Sequence, residues 1–240
     1  MYSFDSRIRY SEVDSNAVLT LESLINYFQD CSTFQTQDGP ASMEYLKERK
    51  IAWVLSSWQI EIKRLPKLCE HVTIGTMPYL LKGPMGLRNF FMKTSDGEVL
   101  AVANSVWTLF DFEKGLPTRV TPEIIEAYPL DEKLDMKYLD RKIAIPEGER
   151  LECQEIVVRK NHLDTNNHVN NGQYIGMAME CIPQGSKQIT SMRAEYKKQA
   201  VLGDVLYPVV IESNIGDNKC YTVSLNDKDG AGVCVVQFKI

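Results

Sequence analysis

An internal repeat constrains the fold of this 240-residue chain more than any other feature of its sequence. Adding 150 to the numbers of an early segment reproduces a later one, so that Asp14 falls on Asp164. The repeat continues at a shorter offset of 134, where residues 61–70 resemble residues 195–204. A repeat unit of this length is a duplicated domain rather than one turn of a solenoid. Further identical pairs at the offset of 150 are Arg9 and Arg159, Asn16 and Asn166, Ile25 and Ile175, and Cys31 and Cys181.

Each copy has the same predicted order of elements. A strand-like segment, residues 2–10 or 151–160, precedes a helix, and a run of strands follows. The helix of the first copy is capped by Thr20, and apolar residues three and four apart give it one buried face. These apolar residues are Leu21, Leu24, Ile25, Phe28 and Cys31. A strand, a long helix and then several strands predict an α+β fold.

Residues 162–180 hold the densest group of chemically active side chains. Asp164, Asn166 and His168 follow one another at intervals of two, and a helix that Asn170 can cap comes next. Free N–H groups and the positive dipole end of a helix favour developing negative charge. The segment therefore indicates a site for acyl-group hydrolysis, although Asp- and Asn-rich segments before helices also serve as plain turns and caps. The first copy has Val18 in place of the histidine, so only the second copy is expected to be chemical.

Residues 163–176, which read Leu-Asp-Thr-Asn-Asn-His-Val-Asn-Asn-Gly-Gln-Tyr-Ile-Gly, resemble the active-site segment of acyl-acyl carrier protein thioesterases. These enzymes end fatty acid synthesis. Residues 52–60, 86–90 and 97–107 of the first half resemble the same family, and the resemblance covers nearly the whole chain. It implies a tandem double hotdog, in which each domain is a long helix wrapped by a curved antiparallel sheet. The expected parts are an N-terminal hotdog domain (1–128), a linker (129–148) and a catalytic C-terminal hotdog domain (149–240).

One departure from the family bears on the mechanism. Plant members read Glu-Tyr-Arg-Arg-Glu-Cys on a strand of the second domain, and its last two residues have been assigned to catalysis. Residues 195–200 read Glu-Tyr-Lys-Lys-Gln-Ala here, so a Cys–His mechanism at that place is excluded. We therefore expect Asp164 to be the nucleophile or general base, assisted by Asn166 and His168, with helix N-terminal amides as the oxyanion hole. Gln199 is expected to orient water or substrate.

The resemblance also implies substrate contacts. The first half would keep the acyl-chain pocket without the chemistry, although plain core is an open alternative for its aromatic residues. The expected substrate-binding residues are Phe28, Phe34, Trp53, Trp58, Asn170, Asn171 and Tyr174. Arg193, Lys197 and Lys198 are expected to receive an acidic carrier protein, against the alternative of a solvated strand face.

Composition excludes some classes of function. A net charge of −5 argues against a general nucleic-acid binder. No apolar run is long enough to span a bilayer, and neither a signal segment nor a Ser/Arg-rich leader is evident, so a bacterial-type cytoplasmic protein is expected. No cofactor is expected, and no metal, because the three histidines do not form a ligand pattern. A homodimer is left open as a further association.

The six cysteines lack the paired short spacing of a zinc site. Most lie in apolar patterns, which predicts reduced, buried thiols rather than disulfides. Cys181 is expected to pack inside the helix that follows the motif.

Rival functions stay open at this stage. The chain could be an acyl-CoA thioesterase or a hotdog acyl-thioester dehydratase, and only a thioesterase would release a thiol. It could also be a catalytically silent lipid-binding or carrier-binding protein. The second copy keeps its aspartate, asparagine and histidine together while the first copy lacks the histidine, which favours the enzyme.

Overall fold

The structure of the protein, a computed structural model, describes residues 1–183 and 189–240. The predicted first helix, α1, spans Leu21–Asp38, and Thr20 Oγ1 accepts a hydrogen bond from the backbone N–H of Ser23 at 3.1 Å. All five residues of the predicted apolar stripe are at most 5% exposed. Burying one large apolar side chain contributes about 1.5–3 kcal/mol, so packing of this face stabilises the helix more than intrinsic propensity does.

The first half of the chain is an antiparallel sheet with α1 against it. Its further elements are β1 (Tyr2–Arg7), α2 (Met43–Glu48), β2 (Ile51–Ile62), β3 (His71–Lys82), β4 (Met85–Thr94), β5 (Val99–Asp111), β6 (Leu116–Pro117) and α3 (Pro122–Ala127). The strand order is β1-β3-β4-β5-β2, and β6 pairs with β5. Phe28 on α1 packs on Phe90 of β4, with ring centroids 5.3 Å apart.

The second half repeats this plan with a shorter helix. Its elements are β7 (Glu149–Leu151), β8 (Ile156–Val157), α4 (Asn171–Glu180), β9 (Ser191–Tyr196), β10 (Val205–Ile215), β11 (Asn218–Asn226) and β12 (Gly232–Lys239). The strands are ordered β9-β12-β11-β10-β7, and β8 pairs with β10. The sheet pairs within this set are antiparallel. In the described part of the chain, no helix is long and apolar enough to cross a membrane.

The chain divides into two compact units near the middle of the connector between the repeats. The first unit comprises residues 1–57 and 63–139, and the second comprises residues 58–62 and 140–240. Residues 128–148, all of which are described, form neither helix nor strand. Asn89 Oδ1 accepts hydrogen bonds from the backbone N–H of Leu134 and the hydroxyl of Tyr138, at 3.2 and 2.9 Å. These bonds attach the first part of the connector to the first unit.

The predicted opening strands are shorter than expected in both copies. The strand expected over residues 2–10 ends at Arg7, and the one expected over residues 151–160 is reduced to β7 and β8. A turn of 3-10 helix follows in each copy, at Tyr10–Glu12 and at Lys160–His162. The alternation of polar and apolar residues does not distinguish this tight turn from a continuing strand.

The predicted repeat is confirmed in the backbone hydrogen bonds. The N–H of Ile8 donates to the carbonyl of Glu70 at 3.0 Å, and the N–H of Val158 donates to that of Asp204 at 2.8 Å. The residue numbers of the two donors differ by 150, and those of the two acceptors differ by 134. The two offsets found in the sequence therefore describe one conserved long-range contact.

The prediction for the cysteines is partly wrong. Cys31, Cys220 and Cys234 are free and buried, as expected, but Cys69 is exposed. Cys153 and Cys181 form a disulfide with Cα atoms 5.4 Å apart, within the usual range for such a bridge. The helix expected to contain Cys181 ends at Glu180, so this thiol lies at the C-cap rather than inside the helix.

Candidate active site

The motif forms a tight loop that Asp164 closes. Its backbone N–H donates to the carbonyl of His168 at 2.8 Å. Its side-chain Oδ1 accepts from the backbone N–H groups of Asn166 and His168, at 2.8 and 3.2 Å. Within the described residues no hydrogen bond reaches its Oδ2. One carboxylate oxygen therefore holds the turn and the other is available for chemistry.

The first copy forms the same loop without the histidine. Asp14 Oδ1 accepts from the backbone N–H groups of Asn16 and Val18, at 2.9 and 3.0 Å. The fourth residue of each loop, counted from the aspartate, has a positive φ, 58° at Ala17 and 62° at Asn167. The loop scaffold therefore does not depend on the chemistry, and the side chain at its end distinguishes the two copies.

His168 is half-buried, whereas Asn166 is exposed at the tip of the loop. The imidazole forms no hydrogen bond within the described part of the chain, so both ring nitrogens are unpaired there. The backbone of His168 makes a β-bridge with Val201, and the N–H of Val169 donates to the carbonyl of Ala200 at 2.9 Å. These contacts bring the motif beside residues 195–200, the segment in which this chain departs from the plant members of the family. Gln199 precedes Ala200 in that segment and is exposed.

Helix α4 starts where the sequence predicts. The side-chain Oδ1 of Asn170 accepts a hydrogen bond from the backbone N–H of Gly172 at 2.8 Å. The backbone carbonyl of Asn170 accepts one from the backbone N–H of Gln173 at 3.0 Å. The N-cap thus already uses two of the amides expected to form the oxyanion hole. Electrostatic help from this helix would come mainly from the positive end of its dipole.

Two tyrosine hydroxyls join the helix start to the neighbouring strand. The hydroxyl of Tyr196 donates to the carbonyl of Asn171 at 3.0 Å, and the hydroxyl of Tyr174 accepts from the N–H of Ala200 at 2.9 Å. The rings meet edge to face, 5.9 Å apart. Burial raises the pKa of both hydroxyls, so they stay protonated at neutral pH. Tyr174, expected to bind substrate, therefore uses its hydroxyl inside the protein.

The first copy has no such pair of hydroxyls. Leu24 and Ile62 occupy the two tyrosine positions at offsets of 150 and 134, and Pro66 stands where Ala200 stands in the second copy. Proline has no N–H to satisfy. Sequence reasoning missed Tyr196, and this difference between the copies is the signal that would have found it.

The predicted aromatic substrate contacts do not form one group. Phe28 and Trp58 are fully buried, at 0% and 2% exposure. Phe34 is 42% exposed and packs on Phe4, and Trp53 is half-buried. Trp53 lies against the ring of Tyr128, 6.3 Å away, and it is neither sealed in the core, as Phe28 and Trp58 are, nor largely exposed, as Phe34 is.

All three predicted carrier-binding cations make contacts inside the second unit. The guanidinium of Arg193 donates to the carbonyls of Asp140 and Lys142, at 2.5 and 3.1 Å, and burial lowers its pKa. The lysines form ion pairs, Lys197 with Glu195 at 3.7 Å and Lys198 with Asp227 at 2.8 Å. Among the described residues, no group of three or more histidine, cysteine, aspartate or glutamate side chains could hold a metal ion.

A helix on an antiparallel sheet, present twice in one chain, defines a double hotdog protein. Residues 1–128 match the acyl-ACP thioesterase N-terminal domain, and residues 147–238 match the acyl-ACP thioesterase C-terminal domain. The chain belongs to the acyl-ACP thioesterase family, and the resemblance found in its motifs is confirmed.

Named relatives include two plant proteins. A chloroplastic acyl-[acyl-carrier-protein] hydrolase of Cuphea viscosissima is 27% identical over 94% of this chain and 58% of its own length. The chloroplastic oleoyl-acyl carrier protein thioesterase 2 of Arabidopsis thaliana is 26% identical over 83% of this chain and 59% of its own. The chain thus spans somewhat more than half the length of these relatives.

Two solved structures have the same fold at low sequence identity. The acyl-ACP thioesterase of Bacteroides thetaiotaomicron superposes with a TM-score of 0.87 at 22% identity, covering 99% of this chain and 96% of that one. The 12:0-ACP thioesterase of Umbellularia californica superposes with a TM-score of 0.82 at 20% identity, covering 99% and 92%. The predicted α+β tandem double hotdog is therefore confirmed.

Proposed function

We propose that this protein hydrolyses the thioester of fatty acyl-acyl carrier protein to free fatty acid and holo carrier protein. The observation that carries the proposal is the pair of matching Asp loops, of which only the second ends in a histidine. Only this second loop leads into a helix start that tyrosine hydroxyls hold to a neighbouring segment. Membership of the acyl-ACP thioesterase family supports the substrate class.

The proposed chemistry begins at Asp164 Oδ2. As general base, this oxygen takes a proton from a water molecule whose oxygen attacks the thioester carbonyl; as nucleophile, it attacks the carbonyl itself and water later releases the acyl group. In either route the C–S bond breaks, and His168 gives a proton to the leaving thiolate. Asn166, exposed beside this carboxylate, holds the water or the carbonyl, and Gln199 has the same role from the neighbouring segment.

The acyl chain is proposed to enter the first unit. Trp53 is the aromatic residue whose position best supports this role, because it is half-buried against Tyr128 rather than sealed in the core. A Trp53→Ala variant should shift the preferred chain length, measured on a series of acyl thioesters. An unchanged chain-length preference would mean that Trp53 only packs in the core and does not contact the acyl chain. The cytoplasmic location is likewise a proposal, to be tested by cell fractionation, and sedimentation decides between the monomer and the homodimer that the sequence leaves open.

The decisive experiment measures thiol release from acyl-carrier-protein thioesters with Asp164→Asn beside Asp14→Asn. Both substitutions keep an oxygen for the two backbone N–H groups of the turn, although Asp14→Asn also loses the bond from Asn16 Nδ2 to Asp14 Oδ2 at 3.3 Å. The unfolding midpoint of each variant is therefore measured to show that it is folded under the assay conditions. Asp164→Asn should lower kcat about 10²- to 10⁴-fold, the usual contribution of general acid–base catalysis. Asp14→Asn should match the wild type.

Other outcomes would contradict the proposal in distinct ways. Equal activity in both variants would make Asp164 a turn residue only. An unsaturated product without free thiol would indicate a dehydratase, and faster hydrolysis of acyl-CoA would indicate a coenzyme A thioesterase. A wild-type protein that binds acylated carrier and hydrolyses no thioester would be a silent binding protein.

A further inference from the structure

The second copy of the repeat presents two exposed cations that have no ion pair. Arg159 and Lys160 are exposed, and neither forms an ion pair within the described residues. They begin the 3-10 turn that leads into the catalytic loop. Burial and then the charge of Arg159 lower the pKa of His162, and the charge of Glu180 opposes them.

The first copy pairs the corresponding arginine with an acid. Arg9 Nε lies 3.5 Å from Glu12 Oε1, and the backbone N–H of Arg9 donates to Glu12 Oε2 at 2.8 Å. In the second copy the acid is replaced by His162, whose Nδ1 accepts the same backbone bond from Arg159 at 3.0 Å. The turn is therefore kept while the charge that would neutralise the arginine is lost. Only the copy with the catalytic loop carries this change.

Exposed apolar side chains lie beside these cations. Val157, Val201 and Leu202 are 44%, 43% and 51% exposed. The turn at 201–204 is joined to the strand that carries Val157, because the N–H of Gly203 donates to the carbonyl of Val158 at 3.1 Å. The first copy has Lys67 at the position of Val201, so a cation has been exchanged for an apolar residue there.

The same surface adjoins the catalytic loop. Val201 makes a β-bridge with His168, and the N–H of the next loop residue, Val169, donates to the carbonyl of Ala200. A partner bound at Val201 would therefore hold a thioester near His168. We propose that Val157, Arg159, Lys160, Val201 and Leu202 form a docking face for the protein part of the substrate, a small acidic protein that carries the acyl thioester. This inference rests on the proposed function and assigns its partner a surface.

Charge and apolar character together favour a protein partner. Opposite charge at the rim of an interface steers encounter and fixes orientation, while apolar side chains supply contact area. The cations first expected to bind the carrier, such as Arg193 and Lys198, are already engaged by internal acceptors. Arg159 and Lys160 form no such contacts, so we propose them as further charged contacts for the carrier, beside the cations expected first.

The test reverses both charges in Arg159→Glu/Lys160→Glu. Lys47→Glu/Lys82→Glu is the matched control, because both lysines are exposed, lie in the first unit and change the net charge equally. Hydrolysis is measured on acyl-carrier protein, acyl-CoA and a neutral acyl-N-acetylcysteamine thioester. We expect the docking-face variant to raise KM for the carrier substrate at least tenfold, with kcat and the neutral thioester unchanged. Leu202→Ser should raise the same KM by a smaller factor.

Salt provides a second readout. The wild-type KM for acyl-carrier protein should rise with ionic strength, and that of the docking-face variant should not. An equal rise of KM in the control variant, or no rise in either, would overturn the proposal. An equal rise of the KM for acyl-CoA in the docking-face variant would also overturn it, because the cations would then bind the phosphates of coenzyme A rather than a protein. A wild-type protein that hydrolyses none of the three thioesters would contradict the proposed function. The docking face would then be tested alone, by titrating the wild type and the variants with acyl-carrier protein and comparing their affinities.

Discussion

At the scale of single residues, the two Asp loops differ in how well their sequences suit one backbone conformation. Both turn through the left-handed region, at Ala17 with a φ of 58° and at Asn167 with a φ of 62°. A Cβ makes this region costly by about 1–2 kcal/mol, and asparagine tolerates it better than alanine does. The loop that ends at His168 therefore carries the better-suited residue.

Ala17→Gly should increase the free energy of unfolding by about 0.5–1 kcal/mol, because glycine removes the Cβ cost but also gains freedom in the unfolded chain. Asn167→Ala should decrease it by a similar amount. Urea denaturation followed by circular dichroism measures both. Opposite signs would mean that contacts of these side chains, rather than backbone conformation, set the stability of the loops.

At the scale of elements, α4 and the end of β9 are held together by hydroxyl groups that the first copy lacks. Tyr174 supports the buried N–H of Ala200, and Tyr196 supports the carbonyl of Asn171. An unsatisfied buried donor costs about 1–3 kcal/mol. The two bonds therefore both stabilise the unit and fix the helix start against the segment at residues 196–200.

Tyr174→Phe should lower the free energy of unfolding by about 1–3 kcal/mol, because it leaves the Ala200 N–H unpaired. Tyr196→Phe should cost less, about 1 kcal/mol, since the Asn171 carbonyl lies at a half-exposed helix end. Both should lower kcat on a small neutral thioester more than they raise KM, the result expected of positioning residues. A change confined to KM would instead indicate direct substrate contact by the hydroxyls.

At the scale of the whole molecule, six cysteines are distributed over a duplicated chain, and one pair is joined. The bridge connects the end of α4 to the segment between β7 and β8, and it closes a sequence separation of 28. Closing a loop of that length contributes about 3–4 kcal/mol by restricting the unfolded chain. The second unit, whose helix is the shorter, therefore gains a covalent constraint.

Thiol titration of the denatured, unreduced protein should detect four free thiols, and six after reduction. Reduction or a Cys153→Ser substitution should lower the unfolding midpoint, with little effect from Cys69→Ser, since Cys69 is exposed and unbridged. Six reactive thiols before reduction would restore the prediction of reduced cysteines made from the sequence.

The sequence by itself determined the duplication, the helix starts and the Asp loops. These are local matters: Thr20 and Asn170 cap their own helices, and Asp14 and Asp164 bond to amides two and four residues ahead. Such contacts lie within the range that spacing and side-chain chemistry describe.

Only the tertiary structure decided which distant groups meet. Arg193 has the sequence context of a surface cation, yet it binds carbonyls of the connector more than fifty residues away. Tyr196, at the end of β9, reaches Asn171 at the start of α4, and Cys153, between β7 and β8, reaches Cys181 at its end. Long-range partners depend on how buried faces pack against each other, and no local pattern encodes that geometry.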